Sequence, residues 1–250
     1  MKVSIITVCF NSRDTIEDAI KSVLSQSYPD IEYVVIDGGS TDSTVEIIKK
    51  YEGRITKFIS EPDKGIFDAM NKGLGMATGE IVGILNSDDL YSDSNVIKDV
   101  VEAMNREEVD VAWGDLLIVD ANDKNKIIRV WRSSSYKEGK FAWGWHPPHP
   151  TFFVRKWVYE KYGYFDLNFS VVAADYEIML RFLERYKLRS CYIPRFLVKM
   201  RGGGNSTKTL RQIFIGNIEC YKSFKANGLR VSPLIIIVKP LSKIIQLLKT

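Results

Sequence analysis

The sequence predicts an α/β fold built on a mostly parallel central sheet with flanking helices, and three observations lead there. Short β-rich runs recur at residues 3–8, 33–36 and 80–85. Segments with apolar residues at helical spacing lie between them. Two of the runs lead into acidic turn residues: Asp37 directly follows Tyr33-Val34-Val35-Ile36, and Asp88-Asp89 come shortly after Ile84-Leu85. Open α/β sheets bind ligands outside the carboxyl ends of their strands, so both acidic clusters fall on one ligand-binding edge. Carboxylates at that edge suit a hard divalent cation shared with the phosphate oxygens of a nucleoside diphosphate.

Each element has its own signal. The strand at 3–8 is followed by a loop and a helix from about Asp14, with Ile16, Ala19, Ile20, Val23 and Leu24 on one face. After Asp37, residues 38–44 supply flexible backbone and capping oxygens ahead of a helical face of Val45, Ile48 and Tyr51. A short strand is expected at 55–60. A helix over 65–77 reads as interrupted by Gly73 and Gly75, and a strand ends just before Asn86. A helix at 95–105 and a strand at 109–119 continue the alternation. Beyond them come a β-like stretch at 127–131, an aromatic and proline-rich segment at 141–153, a helix at 175–186 and an apolar helix after Pro233. No internal repeat of fixed period occurs, which excludes a solenoid.

The 250 residues are 45% hydrophobic and 26% charged, enough to bury a full core and contrary to disorder. The first apolar stretch is short and broken by Asn11 and Arg13, so neither a signal peptide nor a membrane span is expected there, and residence on the cytoplasmic side follows. Cys9, Cys191 and Cys220 are odd in number and widely spaced, as for free thiols in a reducing compartment. The net charge of +4 conceals an asymmetry: residues 199–250 carry ten Lys or Arg against Glu219 alone, a net of +9. Such a basic, partly amphipathic extension suits the anionic inner face of a cell membrane. Packing on the body or contact with a second copy of the chain is the competing use of its apolar stripe. The charge is not distributed like a nucleic-acid groove, and no nucleic-acid partner is expected.

The candidate chemistry lies in three carboxylates. Asp37 before two glycines also fits a simple turn. Asn86-Ser87-Asp88-Asp89 crowds oxygen ligands into one turn, where a bound cation relieves the repulsion between adjacent carboxylates. Asp175, after Ala173-Ala174, fits either a helix N-cap or a general base. His146 and His149 lack the spacing of a metal site, and Trp143, Trp145 and Phe152 suit either sugar stacking or core.

Six ordered segments carry a resemblance: Thr7 to Asn11, VIDGGSTDST at 35–44, EPDKGIFDAMNKG at 61–73, ATGEIVGILNSDD at 77–89, HPTFFVRK at 149–156 and GYFDLNFSVVAADYEIMLR at 163–181. Together they resemble glycosyltransferase family 2 across residues 1–206. That resemblance implies a Rossmann-like GT-A fold, a donor half at about 1–115 and an acceptor half at about 116–206, with 207–250 as a helical extension. It implies an inverting, metal-dependent transferase using Mg²⁺ or Mn²⁺. The donor is then a nucleotide sugar, a UDP-sugar first among them, and the acceptor a glycan or lipid-linked glycan of surface polysaccharide or lipopolysaccharide. By position, Thr7, Asn11 and Asp37 match nucleoside-binding residues, with Asp37 at the base edge. Lys64, Asp68 and Asn71 match the segment near the donor sugar and phosphates. Asn86 stands where the family's first Asp of an Asp-x-Asp motif is usual, Asp88 matches the metal ligand, and Asp175 matches the catalytic base, with Ala174 replacing a Glu. Arg201 and the glycines after it match a segment closing over the diphosphate. From another functional class, a catalytically silent carbohydrate-binding or scaffold protein of the same fold would have no need of Asp175.

Overall fold

The computed structural model describes residues 1–170, 173–203 and 210–233, with backbone alone at 210–214. The apolar helix expected after Pro233 lies outside the described residues. The described residues contain nine strands: β1 (Val3–Cys9), β2 (Ile31–Asp37), β3 (Lys57–Ser60), β4 (Ile81–Ile84), β5 (Asp89–Tyr91), β6 (Val111–Val119), β7 (Ile127–Trp131), β8 (Phe153–Arg155) and β9 (Ser190–Arg201). They form one sheet in the order β3-β2-β1-β4-β8-β6-β9-β5, with β7 on β6. The helices are α1 (Ile16–Leu24), α2 (Thr44–Lys49), α3 (Ile66–Met76), α4 (Val96–Arg106), α5 (Lys156–Tyr162), α6 (Ala174–Leu180) and α7 (Leu210–Ala226).

The sheet is mixed rather than mostly parallel. From β3 to β4 it is parallel throughout. Beyond β4, the three-residue β8 runs antiparallel to both β4 and β6, β5 and β7 are antiparallel additions, and β9 is again parallel to β6. The cause lies in β8, which reaches the sheet through the long aromatic segment and a 3-10 turn at His149–Thr151 instead of a crossover helix. The β6–β9 pairing also slips at Gly114 and Asp115, where Gly114 lets Leu197 and the Arg195 carbonyl approach; a Cβ there would stand 2.6 and 2.8 Å from them.

Strand alternation sends side chains to two cores. Val3, Ile5, Tyr33 and Val35 meet α1, α2 and α4 on one face. Ile6, Val8, Val34 and Ile36 meet α3, α6 and α7 on the other. Helix α4 shows why burial holds these layers: Val96, Ile97, Val100, Val101 and Met104 line its inner side, each contributing about 1.5–3 kcal/mol. Helix α3 is continuous through Gly73, because a side chain there would strike Ile6 and the missing one lets the helix lie close to β1. Cys220 and Phe224 of α7 belong to the same buried cluster as Tyr176 and Phe182. All three cysteines are buried. Among the described residues, no helix is long and apolar enough to cross a membrane.

At the amino-terminal edge of the parallel strands, buried Glu32 accepts from Ser4 Oγ, Thr78 N (2.6 Å), Thr78 Oγ1 (2.8 Å) and Lys57 Nζ (2.9 Å). Burial opposes its ionisation, but these donors outweigh burial and hold the carboxyl well below the usual range. Glu32→Ala is expected to cost about 2–3 kcal/mol in urea denaturation at neutral pH, since it strands Thr78 and Lys57. A depressed folded pKa stabilises above the unfolded value of about 4.3 and loses that contribution as pH falls through the folded value. The gap between wild type and variant should therefore close in strong acid; a gap that persists there would assign it to packing.

Candidate active site

The parallel strands end level with one another: Cys9 pairs with Asp37, and Asp37 with Ser60. Asp37 is fully buried, and its carboxylate is an anchor for the turn that follows. Oδ2 accepts from Gly39 N (3.2 Å), Ser40 N (2.9 Å) and Ser60 Oγ (2.7 Å), while Oδ1 accepts from Ser40 Oγ and Cys9 Sγ. Asn11 adopts the left-handed region at φ 49°, which Asn tolerates better than most residues. Its N–H donates to Ser40 Oγ (2.8 Å), and its Oδ1 accepts from Thr41 N (2.9 Å), joining the loops after β1 and β2. Thr7 stands apart from this edge. It is buried within β1, and its hydroxyl accepts from Tyr33 OH at 3.1 Å.

The turn after β4 joins the same cluster. Ser87 Oγ lies 2.8 Å from Ser12 Oγ, and Asp89 N donates to the Asn86 carbonyl at 3.1 Å. Asn86 Nδ2 donates to Asp89 Oδ2, which leaves Asn86 Oδ1 and Asp89 Oδ1 buried without a hydrogen-bond partner. These two orphaned oxygens, one of a carboxamide and one of a carboxylate, make with the Asp88 carboxylate an oxygen-rich turn of the kind a hard divalent cation takes. Burial pushes the Asp88 carboxyl up, against the pull of Arg201. Asp89 is pushed well up by burial and then by Asp88. Arg201, at the end of β9, donates to the Asp88 carbonyl (3.2 Å) and to Asp18 Oδ2 on α1 (2.6 Å), so its cation is fixed against the acidic turn. No group of three or more His, Cys, Asp or Glu able to hold a metal occurs among the described residues.

Lys64 is exposed just before α3, and its backbone N–H donates to Asp68 Oδ2 at 3.0 Å. Asn71 is engaged on both sides of its carboxamide by the backbone of Phe165: Nδ2 donates to the carbonyl (2.9 Å) and Oδ1 accepts the N–H (3.0 Å). It thereby ties α3 to the loop ahead of α6. Phe165 in turn packs against the ring of His149 at 5.6 Å.

Helix α6 is capped at Ala173 without a side-chain hydrogen bond, so Asp175 lies inside its first turn and is not the N-cap. Asp175 is half-buried where every other α6 residue is buried, and the helix amino end favours its negative charge. Its Oδ1 accepts the Tyr176 N–H at 2.7 Å. Burial pushes His149 down from its ordinary value, and the nearby charge of Asp175 opposes that shift. Ala174 is fully buried. Glu177, also buried, meets Arg181 (3.0 Å) and Asn227 Nδ2 (2.8 Å), while Ser170 donates to Glu219 through both its N–H and its Oγ, so three bonds clasp α7 and the residue after it to the segment around Asp175.

Of the aromatic residues at 141–153, Trp145 packs against Trp113 and Phe141 in the core, and Phe152 is buried. Trp143 alone among them is open, at 71% exposure. His146 packs edge-on against Trp131 and Tyr176. Phe10, 60% exposed at the end of β1, goes unmarked by periodicity; its signal in the sequence is an aromatic residue placed one step past a buried strand. The fold thus brings Asn11, Asp37, Asn86, Asp88 and Arg201 into one bonded cluster. Asn71 is joined through Phe165 and His149 to the neighbourhood of Asp175, Lys64 stands exposed ahead of α3, and Thr7 stays in the core.

The sequence model described as Glycosyl transferase family 2 matches residues 4–161. The chain is 36% identical over 185 residues to an uncharacterized glycosyltransferase of Mycobacterium tuberculosis, covering 72% of this chain and 68% of that one. It is 36% identical over 140 residues to the putative teichuronic acid biosynthesis glycosyltransferase TuaG of Bacillus subtilis, covering 54% and 56%. Among solved structures, it is similar to S. aureus TarS 1–349 in complex with UDP-GlcNAc, with a TM-score of 0.66 at 20% identity over 88% of this chain and 66% of that one. The mannosyltransferase PcManGT from Pyrobaculum calidifontis, in complex with GDP-Man and Mn²⁺, also gives a TM-score of 0.66, at 19% identity over 95% and 68%. At these identities the solved structures show a shared fold. The chain spans about two thirds of the length of the mycobacterial relative and slightly less of TarS.

Proposed function

Because this chain belongs to glycosyl transferase family 2, we propose that it moves a sugar, with inversion, from a UDP-sugar to a hydroxyl of a glycan or lipid-linked glycan in surface polysaccharide assembly. The observation that carries this is the bonded cluster of Asn11, Asp37, the Asn86–Asp89 turn and Arg201 at the carboxyl ends of the parallel strands. A nucleoside diphosphate laid across it has its phosphates near Asp88 and its base near the loops after β1 and β2. The orphaned oxygens of Asn86 and Asp89, with Asp88, fit Mg²⁺ or Mn²⁺, which when bound offsets charge growing on the leaving diphosphate. TarS with UDP-GlcNAc and PcManGT with GDP-Man and Mn²⁺ share the fold and support this choice of donor and cation.

Asp175 holds the other end of the reaction. Its carboxylate accepts the proton of the acceptor hydroxyl as that oxygen bonds to the anomeric carbon, and the bond from that carbon to the diphosphate oxygen breaks. One displacement of this kind inverts the anomeric centre. Arg201 positions the Asp88 turn from β9, and Asn71 positions the segment that leads into α6. Residues 1–115 form the donor side and 116–206 the acceptor side. The basic carboxyl-terminal extension places the enzyme on the cytoplasmic face of the membrane, where a lipid-linked acceptor is met. A panel of nucleotide sugars, assayed for diphosphate release with and without Mn²⁺, tests the reaction. One donor is expected to stand out with cation stimulation and to give an inverted product; a retained configuration would contradict single displacement.

A further inference from the structure

We propose that Asp63, rather than Asp37, is the carboxylate that reads the nucleobase, selecting bases with a ring N–H beside a carbonyl (uracil, thymine or guanine) over cytosine. This deepens the donor assignment and rests on it. The first ground is that Asp37 is already committed, since both its oxygens accept from five donors of the protein itself. A base could reach it only by displacing bonds that hold the 38–41 turn.

The second ground is the position of Asp63. Gly38 follows Asp37 directly, and a Cβ built on it would fall on Asp63 Oδ2, with Cγ at 3.0 Å. A glycine at 38 is therefore what allows the Asp63 carboxylate to lie over the end of β2, in the space a side chain at 38 would take. Gly65 N donates to Asp63 Oδ1 at 2.8 Å and fixes the group from behind. Among the described residues, Oδ2 has no hydrogen-bond partner. The charge of Asp63 also helps to push the buried Cys9 thiol up, after burial and Asp37, which sets it near the end of β1 as well. Phe10, exposed at that same strand end, offers a ring on which a base can stack.

An ionised carboxylate only accepts hydrogen bonds. Uracil N3–H and guanine N1–H can donate to Oδ2, whereas the N3 lone pair of cytosine would meet a lone pair of the carboxylate. A site built on one such bond rejects the analogue that lacks it.

The test is calorimetric titration of UDP, GDP and CDP, with Mn²⁺ present, into the wild type and three variants. Wild type is expected to bind UDP or GDP roughly tenfold or more tighter than CDP, the size of one hydrogen bond to a charged group. Asp63→Ala should lose that preference, and Gly38→Ala should lose it too, because its methyl displaces the carboxylate without removing the charge. Asp63→Asn, whose carboxamide both donates and accepts, should bring UDP and CDP close together. Thermal melts confirm that each variant is folded. Unchanged preference in both Asp63→Ala and Gly38→Ala would overturn the assignment, as would equal binding of the three nucleotides by wild type. Wild type that binds none of them would instead remove the nucleotide-sugar donor on which the assignment rests.

Discussion

Asp175→Asn is expected to lower transfer by roughly a hundredfold or more while the protein melts as the wild type does. Asparagine has the same shape, and its carboxamide oxygen can keep the bond from the Tyr176 N–H. The helix loses no cap, because the capping position belongs to Ala173. What disappears is the ability to take up a proton at neutral pH. His149 is a poor substitute. Burial lowers its affinity for a proton, though the charge of Asp175 opposes this, and it stands beside Phe165 in the aromatic wall rather than in the helix that presents Asp175. Steady-state transfer rates at saturating donor, set beside thermal melts, check this. Near-normal turnover in a folded Asp175→Asn would return the residue to a purely structural role.

Asp88→Ala should abolish nearly all transfer, by roughly a hundred- to a thousandfold, and most of its dependence on a divalent cation. The leaving diphosphate then lacks the carboxylate that brings a counter-charge to it, and the neutral Asn86 cannot supply one. Stability should move the other way. A carboxyl pushed up by burial disfavours the folded state at neutral pH, and its charge also weighs on Asp89, so its removal should leave the melting temperature unchanged or slightly higher. Loss of activity with a steady or raised melting temperature is the signature of a site residue that the fold does not need. Normal Mn²⁺-stimulated turnover in Asp88→Ala would place the cation elsewhere.

Much of the first half is legible in the sequence because its physics is local. Buried parallel strands read as apolar runs, α1 and α4 show one-sided apolar periodicity, and the acidic turns follow the strands they cap. The second half is not local. Strand β9 holds Pro194 and polar residues and pairs with β6 only across two shifts of register, so no alternation announces it. Strand β8 is three residues long and gains its place from partners more than 30 residues away in sequence. The state of Asp37 is equally hidden, since two of its donors, Cys9 and Ser60, come from other strands. Asp63 looks like an ordinary turn residue after proline until Gly38 is seen beneath it. Asp175, by contrast, is singled out by its motif, and it is the one residue of α6 that is not buried.

The clasp between α6 and α7 has a consequence for the order in which this molecule can be made. Glu177 waits for Asn227 and Ser170 for Glu219, partners that leave the ribosome about fifty residues later. Strands β1 to β4 have every strand partner but β8 once residue 119 is out, so the parallel part of the sheet can pair on a growing chain. The helix bearing Asp175 cannot. Until Asn227 arrives, it holds a buried carboxylate with one partner too few and faces the empty berth of Cys220 and Phe224. A nascent chain therefore completes its parallel strands before the helix bearing Asp175 is properly seated.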